Sequence, residues 1–72
     1  MYFVFRFLIK TNAEESHSEQ RFGTEIAARK RYYNILAADI DNADIAYELV
    51  QIVREDGIVI ASQVFDNRVV EG

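Results

Sequence analysis

An α+β domain, one helix packed on a small antiparallel sheet in the order ββαββ, is the fold class this sequence predicts, and three observations carry it. Residues 2–10 alternate with the two-residue period of a strand, and residues 24–41 repeat with the 3.6-residue period of a helix. Asp56-Gly57 stands as a turn between two runs rich in Val and Ile. If residues 16–22 do not form a strand, the order becomes βαββ.

In the first run, Phe3, Phe5, Phe7 and Ile9 fall on one face and Tyr2, Val4, Arg6 and Leu8 on the other. The phenylalanine face is expected to be core. The second face is also half apolar, more than a strand wetted on that side needs, so Tyr2, Val4 and Leu8 are expected to meet a second protomer.

Thr11 to Ser16 is polar and reads as a turn. The segment that follows, through Phe22, has two readings. In one, Ser18, Gln20 and Phe22 point one way from a short edge strand whose polar side chains discourage aggregation. In the other, Ser16 and Glu19 form a capping box that opens a helical turn. The edge strand is favoured, because Gly23-Thr24 already supplies a break and an N-cap for the main helix.

From Thr24 to about Asp41, Ile26, Tyr33, Leu36, Ala37 and Ile40 form an apolar stripe expected to face the sheet. Lys30, Arg31 and Asn34 lie opposite. Ala28, Tyr32 and Ile35 widen the apolar surface, so the helix is expected to touch two neighbours, and Arg31, Tyr32 and Ile35 are candidate partner-binding residues.

Asp39, Asp41, Asn42 and Asp44 close the helix, and Ala46 to Glu55 resumes a strand. Asp-Gly tolerates the positive φ that a two-residue type I′ turn requires at both central positions. Such a turn places Leu49 across from Val64, Gln51 from Ser62 and Val53 from Ile60, with Ile58 to Phe65 as the returning strand. Val50, Ile52, Ala61 and Phe65 line the other face. Without Pro, repeats or low-complexity stretches, nothing marks an internal boundary. One domain is expected over residues 1–66, with a polar tail over 67–72 in which Val69 and Val70 are able to extend an edge.

A 72-residue chain buries only about 60% of the surface its unfolded form exposes, so its stability margin is thin. Chains this small add disulfides, a metal or a partner subunit. With no Cys and one His, the subunit is the remedy left, and a homo-oligomer, most simply a homodimer, is expected. Half the residues are hydrophobic, too many for a disordered tail. Arg6 interrupts the apolar opening, no basic residue precedes it, and no run approaches the roughly 18 residues of a membrane span, so a cytoplasmic protein with no membrane partner is expected. A net charge of −4 repels phosphate backbones and disfavours nucleic acid.

Each apparent chemical motif has a plainer explanation. His17 among Glu14, Glu15 and Glu19 has the residue types of a zinc or acid–base site, but on a flexible polar segment an exposed loop explains it better, and no metal is expected. Asp39 to Asp44 resembles the start of a calcium loop, yet Asp44 and Val50 stand where such a loop needs Gly and Glu. Asp and Asn favour a helix exit by bonding their own backbone. Arg29, Lys30 and Arg31 beside Tyr32 and Tyr33 have the composition that holds single strands, but helical geometry scatters them. The three glycines are too far apart to cradle a phosphate, so no catalytic residue and no cofactor is assigned, and an enzyme is not expected.

The run Ala27-Ala28-Arg29-Lys30-Arg31-Tyr32-Tyr33-Asn34-Ile35-Leu36-Ala37-Ala38-Asp39-Ile40, with Tyr47 through Ile58, resembles small uncharacterised proteins encoded by phages and prophages of gut Firmicutes. The resemblance spans roughly residues 24 to 66 and implies an accessory protein that binds a host or phage protein. The order of elements is also similar to that of dodecins, small flavin-binding shells. This chain lacks Trp, leaving Tyr2 or Tyr47 to stack on a flavin ring.

A small non-catalytic protein-interaction module is therefore the expected function, holding a protein partner through an apolar sheet face or the Tyr32/Ile35 flank. The alternative is a ligand-binding homo-oligomer with its pocket between protomers. A minimal enzyme, which requires carboxylates from two protomers to converge, ranks last.

Overall fold

Strand β1 (Tyr2–Lys10) turns back into β2 (Glu15–Phe22), helix α1 (Glu25–Asp39) crosses the sheet, and β3 (Ile45–Arg54) and β4 (Val59–Asp66) form a second hairpin. This computed structural model describes residues 1–67. The strands form one sheet in the order β2-β1-β3-β4, antiparallel throughout. The fold is thus α+β with the order ββαββ, and residues 15–22 form the edge strand. The tail expected after residue 66, with Val69 and Val70, lies outside the described residues except for Asn67, whose N–H donates to the Ala46 carbonyl at 2.8 Å.

Both hairpins close by three-residue loops. Lys10 N–H donates to the Glu14 carbonyl and Ala13 N–H to that of Lys10, with Ala13 in the left-handed region at φ 70°. The second loop repeats these bonds: Arg54 N–H to the Ile58 carbonyl, Gly57 N–H to that of Arg54, with Gly57 at φ 87°. This corrects the expected two-residue type I′ turn. Only the glycine of Asp56-Gly57 takes positive φ, and a loop of Glu55, Asp56 and Gly57 ending in a left-handed glycine is the three-residue alternative. Leu49 still pairs with Val64 and Gln51 with Ser62, but a bulge beyond Ile52 pairs Val53 with Val59 instead of Ile60.

Thr24 caps the helix as expected, its Oγ1 accepting from Ala27 N–H at 3.2 Å. At the other end Asn42 Oδ1 accepts from Asp44 N–H at 3.0 Å, so this segment is a helix exit built on its own side chains.

The structure reverses the two faces of the first strand. Val4 and Leu8 are 2% and 5% exposed beneath the helix, in a core with Ala28, Tyr32, Ile35, Ile45, Val50 and Ile52, while Tyr2 packs at its edge. Val4 and Leu8, expected to meet a second protomer, are therefore core residues of the single chain, and Tyr2 is half-buried against that core. The cause lies in topology. β2 and β3 run parallel on either side of β1, so α1 joins them as a crossover, and the preferred hand of such a crossover selects one sheet face. Alternation cannot make that choice when both faces are apolar.

The helix likewise turns a different stripe inward. Ala28, Tyr32 and Ile35 are buried, whereas Ile26, Tyr33 and Ile40, placed on the sheet-facing stripe by the sequence, are 72%, 56% and 62% exposed. Ala28, with no accessible surface, lets the helix backbone seat closely on the sheet. Tyr32 and Ile35, expected to face a partner, are core residues.

Candidate functional site

Three features could do work. The largest is the sheet face opposite the helix. Pairing places Phe3, Phe5, Phe7 and Ile9 of β1 level with Val53, Gln51, Leu49 and Tyr47 of β3, and Leu49 level with Val64 of β4. No element among the described residues covers this face. Phe5 is 37% exposed and Val64 46%, and the rest are half-buried. Phe3 stacks on Phe5 with ring centres 6.2 Å apart, and Phe7 meets Tyr47 edge-on at the same distance. Along the β2 border, Glu15, His17, Glu19 and Arg21 sit level with Ile9, Phe7, Phe5 and Phe3. The result is an apolar field with a charged hem on one side.

The second feature is a charged cluster under the end of the helix. Arg6 lies between Val4 and Leu8 on the covered face of β1, and its guanidinium reaches Asp39 Oδ2 at 2.6 Å and Glu48 Oε2 at 3.3 Å. Glu48 is completely buried, and its Oε1 has no hydrogen-bond partner among the described residues. Burial, then the nearby Asp39 carboxylate, push the Glu48 carboxyl up to about 7 against the opposing pull of Arg6. Near neutrality the Glu48 carboxyl therefore holds a proton part of the time. Beside Arg6 opens a cleft of about 390 Å3 lined also by Lys10, Thr11, Asn12, Asn42 and Asp44. Glu48 does not line it. In phase with the core stripes, Arg6 follows Val4 by two, Glu48 precedes Val50 by two and Asp39 follows Ile35 by four. That shared phase was the signal by which the sequence could have revealed the cluster.

The third is an apolar groove where α1 stops short of β4, lined by Tyr33, Leu36, Ala37, Ile40, Gln63 and Phe65. Tyr33, Leu36, Ala37 and Ile40 belong to the stripe the sequence assigned to the core; Leu36 is half-buried against that core, and the other three are left at the surface.

The basic residues of the helix do not converge. Arg29 pairs with Glu25 at 3.1 Å, and Arg31, one of the expected partner-binding residues, donates to Gln20 on β2 at 2.6 Å. Burial pushes the Tyr32 phenol up. Among the described residues no three His, Asp or Glu side chains are grouped to hold a metal ion, and no helix is long and apolar enough to cross a membrane. No family model matches the chain, and neither does any curated protein or solved structure.

Proposed function

We propose that this protein is a non-catalytic interaction module whose working surface is the uncovered sheet face and whose first partner is a second copy of itself. One observation carries the reading: among the described residues, a four-stranded sheet lined with Phe3, Phe5, Phe7, Leu49, Val53 and Val64 has no second layer, whereas stable domains bury both faces of so apolar a sheet. The area supports it. Four strands at about 4.8 Å spacing and some seven residues of length give a plan area of roughly 450 Å2 per copy, about 900 Å2 for a pair before side-chain relief is added. That approaches the ~1,000 Å2 a specific interface needs. On the resemblance of residues 24–66, we extend the reading to a phage or prophage accessory protein that engages a host or phage protein.

Light scattering on a sizing column tests it. The expected result is a particle of twice the 8.3 kDa chain mass. Phe5→Glu, at an exposed position, should return a folded monomer, while Ile40→Glu on the outer helix groove should leave the dimer intact. A wild-type monomer, or a dimer untouched by Phe5→Glu and Val64→Lys, would overturn the reading. An absorbing small molecule co-eluting with the peak would favour a ligand-binding oligomer instead.

A further inference from the structure

Resting on the reading of the open face as a self-association surface, we infer that the two copies meet with one particular symmetry: a two-fold axis that lies in the interface and runs across the strands at the level of Arg6. The sheet's register defines that level, because Arg6 pairs with Ser18 on one side and Val50 on the other, and Val50 pairs with Gln63. An axis along this line lays every strand over its own copy, running the opposite way.

Under this operation all four charged positions of the β2 hem meet a complementary group, whereas an axis two residues away, at Gln20 or Ser16, matches only Glu19 with Arg21 or Glu15 with His17, and one at Glu19 or His17 sets a like residue on itself. Glu15, His17, Glu19 and Arg21 occupy alternate positions on the open face, centred on Ser18. Reversal about Ser18 sets Glu15 over Arg21 of the partner subunit and His17 over Glu19 of the partner subunit, each pair occurring twice. In β1 the same reversal sets Phe5 over Phe7 of the partner subunit and Phe3 over Ile9 of the partner subunit, so apolar rows meet apolar rows. The competing axis, parallel to the strands, would lay β2 over β4 and press those charges onto Val64 and Val59, burying them without partners. Aligned sheets pack about 10 Å apart and turn by about 30°, a gap that facing Glu and Arg side chains can bridge at a sheet edge. An isologous contact of this kind closes on itself, giving a dimer and not a filament.

A charge swap tests the symmetry separately from the existence of the dimer. Arg21→Glu and Glu15→Arg each set like charges against one another twice per dimer and should raise the dimer dissociation constant about tenfold or more. The double variant Glu15→Arg/Arg21→Glu restores both pairs and should return the constant to within about threefold of wild type. Sedimentation equilibrium reads all four proteins, with circular dichroism confirming that each is folded. A wild-type dimer broken by Phe5→Glu, whose double charge variant is no tighter than the single ones, overturns the symmetry and leaves the interaction surface standing. A monomeric wild type overturns both.

Discussion

At Glu48 a carboxyl sits with no accessible surface, one oxygen on Arg6 and the other without a hydrogen-bond partner among the described residues, and its proton affinity is raised to about 7. The ordinary value is 4.5, so between those two values the folded chain binds more protons at this position than the unfolded chain does. Stability from Glu48 is therefore fully present below about pH 4.5 and is lost as pH rises through about 7, an amount on the order of 1–3 kcal/mol. Glu48→Gln, neutral at every pH and of similar shape, should remove this slope. Thermal denaturation of both proteins from pH 5 to pH 8.5 is the measurement, and the difference between their midpoints should change in favour of the variant as pH rises. Parallel curves would mean that Glu48 stays ionised when buried.

Among the elements, the helix is where the sequence was hardest to read. Ala28, Tyr32, Ile35 and Asp39 lie inward at spacings of four, three and four, while Ile26, Tyr33 and Ile40 form a second, bulkier stripe that faces outward. Ile35→Ala should cost roughly 2–4 kcal/mol and lower the midpoint by about 10 °C or more, whereas Ile26→Ala should stay within about 0.5 kcal/mol. Equal effects in a urea titration would contradict the assignment. Hydrophobicity alone favours the wrong stripe, because a helix with two apolar sides is placed by what lies beneath it. The strands were more legible. Alternation, the Thr24 cap and the turn at Gly57 placed all five elements within one or two residues, since these signals are local. Which sheet face the helix covers, and that Arg6, Asp39 and Glu48 would meet across gaps of 33 and 42 residues, depends on the crossover and was not legible in any single segment.

For the molecule as a whole, the proposed pairing through the open sheet face ties stability to concentration. Because pairing stabilises the folded chain by mass action, the melting midpoint should fall on dilution, by up to about 4 °C for each tenfold, for as long as the protein is dimeric. Calorimetry over about a hundredfold range checks this, and a midpoint independent of concentration would show that a single copy holds its fold unaided.

The strand order also sets a timetable for synthesis. β1 precedes the other elements in sequence but sits in the interior of the sheet, between β2, which follows it directly, and β3, whose pairing of Tyr2 with Arg54 closes a far longer loop. As the chain leaves the ribosome, the first hairpin can close early, yet one long edge of it, with Phe3, Phe5 and Phe7 beside it, stays open until β3 emerges. Until β3 pairs, the first hairpin therefore carries an unpaired strand edge next to an apolar face, a combination that favours aggregation. Closing the distant pairing between β1 and β3 is the slow, entropically demanding step of folding.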